Sequence, residues 1–329
     1  MEAHKSAIGI DIGGTHTTLG LVRQDGNIIW QEQLKTRDYR TPGEFIAALE
    51  VMLQPQIGTI GMDNISGIGI GAPNGNYYSG TIELAANLPW KGVIPVAQMV
   101  KDCFHLPVRL TNDANAGALG EMIFGAARSM KNFAFITLGT GLGSGLVANG
   151  QLIYGHDGFA GELGHTIISP EGRPCGCGRK GCLETYASAT GLVTTAIEFL
   201  QQQKQFETFP EDWLAPVWHR NRRVSAHDVF VAAENQDPTA IAVFDYTAKI
   251  LGLSLANLVA LTSPEAIIFF GGMANAGDHL FTPTKKYMED NLLPVFKGKV
   301  QILRSQLPHA NAALLGAASL VLEPIKSIE

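Results

Sequence analysis

Cys175, Cys177 and Cys182 stand within eight residues of one another, and they are three of the four cysteines in the chain. His165 precedes Cys175 with nine residues between them, and Glu162 and Glu184 bracket the group. Three thiolates and an imidazole suit a closed tetrahedral zinc site. A catalytic zinc keeps an open coordination position, which this donor set would fill, so the spacing points to a structural metal and away from zinc-dependent hydrolysis. A redox dithiol is the other reading of clustered thiols, but Cys-x-Cys is not the Cys-x-x-Cys spacing of that chemistry. A lone glutamate is by default a solvated surface carboxylate. Beside a metal-fixed loop, Glu162 and Glu184 would instead be held in register for a small ligand.

Two glycine-rich turns carry a second kind of chemistry. The first reads Asp11-Ile12-Gly13-Gly14-Thr15-His16-Thr17, and the second Thr137-Leu138-Gly139-Thr140-Gly141-Leu142-Gly143. Glycines let backbone N–H groups approach a phosphate, and the hydroxyls of Thr15, Thr17, Thr137 and Thr140 add donors. Asp11 could hold a magnesium ion, directly or through water. One such turn alone reads as a plain hairpin with a solvated Asp; two of them, one opening each half of the chain, point to a nucleotide clamp. Gly271-Gly272 follows an apolar run and would let a flat adenine or ribose approach the backbone. No P-loop is present, and the Gly-x-Gly-x-x-Gly at Gly176–Gly181 is interleaved with cysteines, without the strand and helix a dinucleotide fingerprint needs.

Asn112-Asp113 ends an apolar run, where α/β folds place ligands. Asp113 could accept a hydroxyl proton during phosphoryl transfer while Asn112 hydrogen-bonds the same substrate. The competing reading is a helix N-cap, since Ala114 opens a small-residue run of helical character.

These residues need elements to position them. Ala7–Ile12, Thr17–Val22, Ile28–Leu34, Ser66–Gly71 and Val108–Leu110 read as strands. Thr41, Pro42 and Glu44 make a capping box for a helix whose apolar positions include Phe45, Ile46, Leu49, Met52 and Leu53. Ala114–Ala126 reads as helix. The pattern then restarts: Phe133–Leu138, the second glycine turn, Ser144–Ala148, an Asn149-Gly150 hairpin turn and Leu152–Tyr154. Two strand–turn–strand units thus recur roughly 125 residues apart, too dissimilar in residue identity for a sequence repeat. Helices are expected at Ala187–Gln203, Ala226–Ala233 (capped by Ser225), Thr239–Leu261, Phe281–Leu292 and Ala310–Leu322, with strands at Ala266–Phe270 and Val300–Leu303. Residues 206–223, with two tryptophans and two prolines, read as an irregular surface excursion. The class is α/β, with two similar lobes.

Composition narrows the field further. At 46% hydrophobic and 16% charged, the 329 residues are ordinary globular material for one large or two medium domains. A net charge of -6 supplies no basic field, so nucleic acid is not an expected partner. No long apolar span or leader pattern is evident, so the expectation is a cytoplasmic chain without a membrane partner, whose thiols meet metal sooner than disulfide partners.

On these motifs the chain resembles the ROK family of sugar kinases and regulators. Besides the two turns, the carriers are Gly71-Ala72-Pro73-Asn74-Gly75, Asn87-Leu88-Pro89-Trp90, Asn112-Asp113-Ala114-Asn115-Ala116 and Gly161-Glu162-Leu163-Gly164-His165 with the cysteine block. The resemblance implies an actin-like, ribonuclease-H-type fold of two lobes around a ligand cleft. It implies transfer of the γ-phosphoryl of ATP, with magnesium, to the 6-hydroxyl of a hexose, most simply glucose. Asp113 would be the catalytic base. Gly71, Asn87, Asn112, Asp113, Glu162, His165 and Glu184 would lie at the sugar; Asp11, Gly13, Gly14, Thr15, Thr17, Thr137, Gly139, Thr140, Gly141, Gly271 and Gly272 at the nucleotide; His165, Cys175, Cys177 and Cys182 on zinc. The expected lobes are 1–113, closed by a helix at 310–323, and 114–309, carrying the zinc loop 165–182. Homo-oligomers, dimers or tetramers, are implied too. His16 departs from the Lys or Asn of many members, and Ala-Pro-Asn-Gly from the commoner Pro-Gly. Fructose, mannose, allose or an N-acetylated amino sugar are the alternative substrates, and a non-catalytic sugar sensor the rival role. The first strand starts by about Ala7, leaving no room before it for the helix-turn-helix of the family's regulators, which favours a kinase.

Overall fold

The computed structural model describes residues 5–203, 214, 223–307 and 311–322. The surface excursion expected at 206–223 therefore lies outside the described residues, apart from Leu214 and Arg223.

The chain opens with β1 (Ser6–Ile12), β2 (His16–Arg23) and β3 (Ile28–Lys35), then α1 (Pro42–Ile60) and β4 (Ile65–Gly71). A short hairpin of β5 (Ile82–Glu83) and β6 (Val93–Ile94), α2 (Val96–Phe104), β7 (Val108–Thr111) and α3 (Asp113–Phe124) follow. β1 to β4, β7 and α3 match the expected elements within one or two residues at most ends. The β5–β6 hairpin and α2 were not foreseen. α1 begins as its sequence dictates: Thr41 Oγ1 accepts the Glu44 amide while the Glu44 carboxylate accepts the Thr41 amide. Such a cap contributes about 1 kcal/mol.

The five strands β3-β2-β1-β4-β7 form one sheet, antiparallel in the hairpins and parallel from β1 to β4 to β7. Ile8, Ile10, Ile68 and Ile70 are fully buried. α1 covers one part of this core with Phe45, Leu49, Leu53 and Ile57.

The second half comprises β8 (Phe133–Leu138), β9 (Leu142–Ala148), β10 (Gln151–Leu152), α4 (Glu184–Ala187), α5 (Ala189–Gln203), α6 (Ala226–Glu234), α7 (Pro238–Thr262), β11 (Ala266–Phe270), α8 (Asp278–Asn291) and β12 (Gln301–Arg304). Its sheet runs β10-β9-β8-β11-β12, with β8, β11 and β12 mutually parallel. The order reproduces that of the first sheet, so the self-similarity seen in the motifs is a similarity of topology. α7 is long and apolar enough to cross a membrane by length and composition, but most of it is buried, and it packs on α8.

The last helix, α9 (Ala312–Ser319), returns to the first sheet and packs on β1, β4 and α3. Glycine permits this approach: a Cβ on Gly9 would lie 2.5 Å from the Leu314 carbonyl oxygen, and one on Gly69 would run into the Ala317 carbonyl. Contacts group the chain into two units, Met1–Lys131 with Gly145–Gly161 and Ser305–Glu329, and Asn132–Ser144 with Glu162–Arg304. The grouping differs from the expected division at 113/114. α3 belongs with the first unit because its small residues pack on α9, and the chain returns to that unit at Gly145–Gly161.

Candidate active site and metal centre

In the first unit the sheet delivers Asp11 and Asp113 to one place. β1 and β4 run parallel with Asp11 opposite Gly71, and Thr111 of β7 is the other neighbour of Gly71. A Cβ on Gly71 would lie 3.7 Å from Asp11 Oδ1 and 3.8 Å from the Asp113 Cα, so the bare glycine backbone lines the space beside both acids. Burial first, and then the nearby Asp113 charge, push the Asp11 carboxyl up from 3.8 to about 7. Asp113 is exposed to solvent, though the protein around it still desolvates its carboxyl. That desolvation raises its pKa, against the lowering effect of the Ala114 amide, which donates to Asp113 Oδ1 at 2.8 Å. Asn112 realises the capping reading: its Oδ1 accepts the Asn115 amide at 2.6 Å and starts α3. Asp113 is thereby fixed as the first residue of the helix, so the cap serves the acid.

The first glycine turn joins β1 to β2. Thr36, fully buried just after β3, donates its hydroxyl to the Gly13 carbonyl at 2.7 Å. Its backbone N–H donates to the Thr15 carbonyl at 3.0 Å. Thr17 was expected among the phosphate donors, but it is fully buried and its hydroxyl bonds Thr36 Oγ1 at 2.9 Å. It braces the turn from behind; Thr15 is the exposed hydroxyl. Arg37 Nε donates to the Gly14 carbonyl at 3.3 Å. Asn87 is exposed in the β5–β6 hairpin and rests against Gly14.

The second turn, in the other unit, is tied to the α4–α5 region. Ala189 N–H donates to the Gly139 carbonyl, and Thr190 Oγ1 to the Thr140 carbonyl, each at 2.8 Å. Thr137 Oγ1 accepts the Gly143 amide at 3.0 Å. Glu184, the first residue of α4, accepts the Leu142 amide on Oε2 at 3.0 Å and stands beside Gly141. Gly271, with φ +103°, closes over the Leu138 backbone. Gly272 lines a cavity of about 470 Å³ with Ala189, Leu192, Phe230, Phe244 and Met273. An apolar slot ending at an exposed glycine backbone matches a flat aromatic base.

The metal-binding reading finds its geometry in the same unit. The ligand atoms of His165, Cys175, Cys177 and Cys182 all lie within 4.8 Å of one another, and no disulfide joins them. Cys175 Sγ is 3.7 Å from His165 Nδ1, and Cys177 Sγ is 3.6 Å from Cys182 Sγ. Zinc–sulfur bonds of about 2.3 Å at tetrahedral angles put two sulfurs roughly 3.8 Å apart, so the cluster fits zinc. The Arg179 side chain beside Cys177 lowers that thiol to about 6, whereas burial pushes Cys182 up to about 12. Cys103 lies apart, half-buried on α2. Glu162 precedes the 3-10 turn Leu163–His165 and its carbonyl accepts the His165 amide at 3.0 Å.

Arg173 carried no signal in the sequence. Its guanidinium reaches Glu198, Thr195 Oγ1 and the carbonyls of Thr185 and Gly191, and it lies 4.4 Å over the Tyr186 ring. The partners are twelve to twenty-five residues away, so only the folded chain shows that Arg173 pins the cysteine loop to α4 and α5.

The ROK family profile matches residues 7–324. The chain belongs to the ROK family. A glucokinase of Halalkalibacterium halodurans is 36% identical over 98% of this chain and 96% of its own length. A xylose repressor of Caldicellulosiruptor bescii is 32% identical over 84% of this chain and 68% of its own. Among solved structures, a ROK family glucokinase from Streptomyces griseus in complex with glucose and AMPPNP superposes with a TM-score of 0.77 at 32% identity, covering 96% of this chain and 99% of that one. The α/β fold is therefore the actin-like ATPase fold of the ROK sugar kinases.

Proposed function

We propose that this ROK protein is an ATP-dependent hexokinase that phosphorylates the 6-hydroxyl of glucose. The pairing of Asp11 and Asp113 across the bare backbone of Gly71 carries the reading. A carboxylate raised by desolvation, and fixed in direction by its own helix cap, has the properties of a general base. Asp113 takes the proton of the sugar hydroxyl; the oxygen attacks the γ-phosphorus, the bond to the bridging oxygen breaks, and ADP leaves. Asp11 is the hard oxygen donor for magnesium, whose charge would favour its ionised form and offset that of the phosphates. The turn amides and Thr15 receive phosphate oxygens, and the slot at Gly272 receives the base. Asn87, Asn112, Glu162, His165 and Glu184 read sugar hydroxyls. Zinc on His165, Cys175, Cys177 and Cys182 serves as a staple, with no role in bond making. Glucokinase relatives at 32–36% identity support glucose over fructose, mannose, allose or an N-acetylated amino sugar.

A repressor among the relatives favours one other reading, a sensor that binds sugar without turnover. ADP release, coupled to an optical readout across these sugars with MgATP, separates the two. Glucose is expected to give the highest kcat/KM. Sugar binding with no sugar-dependent ADP release would establish the sensor. Asp113→Asn is expected to lower kcat by about 10²–10⁴-fold with little change in glucose affinity. Near-wild-type turnover in that variant would remove Asp113 from the chemistry.

A further inference from the structure

The glycines of the two turns differ in what a side chain would meet. At Gly139 and Gly272 a Cβ meets nothing within 4 Å. At Gly13 it meets only its own turn, the His16 carbonyl oxygen at 2.7 Å. At Gly14 it would lie 2.6 Å from the Asn87 carbonyl oxygen and 3.1 Å from the Asn87 Cβ. At Gly141 it would collide with the Glu184 carboxylate. Gly14 and Gly141 are thus crowded by two residues that the kinase reading places at the sugar.

We infer that Gly14 and Gly141 are positioning residues for the hexose: each lets a phosphate turn rest directly on one sugar-reading residue, so nucleotide and sugar binding are coupled inside each unit. The inference rests on the kinase reading above.

The contact at Gly14 is the stiffer of the two. Backbone meets backbone there, and neither side can retreat. The Asn87 hairpin is held by Trp90 Nε1 on the Tyr39 carbonyl at 3.1 Å, by Lys91 Nζ on the Ala86 and Leu88 carbonyls at 3.2 and 3.1 Å, and by the buried Leu88. The turn is held by Thr36 and Arg37. A hexose hydroxyl that draws on Asn87 therefore loads the same backbone that presents N–H groups to phosphate. At Gly141 the link is a hydrogen bond: Glu184 Oε2 already holds the Leu142 amide at 3.0 Å, so a sugar hydroxyl competing for that carboxylate changes a donor of the phosphate turn. By reciprocity, whatever the sugar does to nucleotide affinity the nucleotide does to sugar affinity.

The test titrates glucose calorimetrically into full-length, nucleotide-free protein. Gly14→Ala is expected to weaken glucose binding by about tenfold or more, although no phosphate is present, and Gly139→Ala by less than about twofold. Folded Gly14→Ala that binds glucose like wild type would overturn the inference. If Gly14→Ala does not fold, wild-type linkage decides. AMPPNP is expected to bind at least about fivefold tighter with saturating glucose, and Asn87→Ala, which keeps the backbone contact but loses the amide, to abolish that gain. Equal AMPPNP affinity with and without glucose would equally overturn it. A wild-type protein that binds glucose but releases no ADP with any hexose retires the kinase reading instead, whereas an active wild type with an unmoved Gly14→Ala retires the coupling alone.

Discussion

The turn at Asp11–Thr17 and the turn at Thr137–Gly143 are both rich in glycine and threonine and hold the same place in their sheets, but they are braced differently. The first rests mainly on buried groups: Thr36 and Thr17 are both fully buried and the contact with Asn87 is backbone on backbone, with the exposed Arg37 on the Gly14 carbonyl adding a solvated brace. The second is held by partly solvated side chains, Glu184 on the Leu142 amide and Thr137 on the Gly143 amide. Glu184 in turn lies with Oε1 3.9 Å from Cys175 Sγ, inside the zinc loop. A buried brace costs its full desolvation when broken, while a solvated one can be replaced by water. The first turn is therefore rigid by construction, and the second depends on the cysteine loop.

The largest effect that sharpens this contrast is loss of the metal. One zinc per chain is expected by elemental analysis. Cys177→Ser should lose the zinc and, with it, most glucose binding, since Glu162, His165 and Glu184 lose their shared support. AMPPNP affinity should weaken as well, through Glu184 and the second turn. Metal-free protein with wild-type glucose and nucleotide affinity would break the dependence. Next in size is Thr36→Val, which orphans the fully buried Thr17 hydroxyl and takes the side-chain donor from the half-buried Gly13 carbonyl, at about 1–3 kcal/mol. Thermal unfolding and AMPPNP titration should both register it, and Thr137→Val, where water can reach the Gly143 amide, should cost clearly less. Equal losses would mean that the two braces are alike.

The smallest effect is electrostatic and confined to the first unit. The Asp11 pKa stands near 7 in the fold against 3.8 ordinarily, so its protonated form is the one the fold favours. The associated stability is fully present below about pH 4 and is lost as pH rises through about 7. Asp11→Asn should therefore raise the Tm of magnesium-free protein near pH 8 and leave it unchanged near pH 4. A rise of the same size at both pH values would assign the gain to packing.

Much of this arrangement was legible in local patterns. The capping box at Thr41–Glu44, the strand limits at Phe133–Leu138 and the Cys-x-Cys cluster are short-range signals, and each is found where the spacing puts it. Asn112 could be read as ligand or cap, and both readings lead to Asp113. The misses have a common cause. Thr17 points away from the turn because the alternation of β2 puts it on the buried side, where Thr36 from nineteen residues on meets it. Arg173 finds its acid in Glu198, and α3 joins the first unit only because α9 returns to it. α2 and the β5–β6 hairpin lack a strong local start signal: α2 is preceded by Pro95, whose side chain makes no capping hydrogen bond. Long-range partners decide these, and no window of sequence contains them.

The glycine face of the first sheet carries a consequence for the order of assembly. Gly9 and Gly69 leave a bare strip of strand backbone whose cover, α9, lies roughly 240 to 300 residues further along the chain. During synthesis the first sheet can pair its strands early, but its glycine-lined face stays uncovered until the second unit has been made and the chain has come back. The oldest part of the molecule is thus the last to be sealed: a ribosome-bound chain without α9 leaves the face of Gly9 and Gly69 bare, while Ile8, Ile10, Ile68 and Ile70, on the opposite face by strand alternation, share a core with Phe45 and Leu49 of α1.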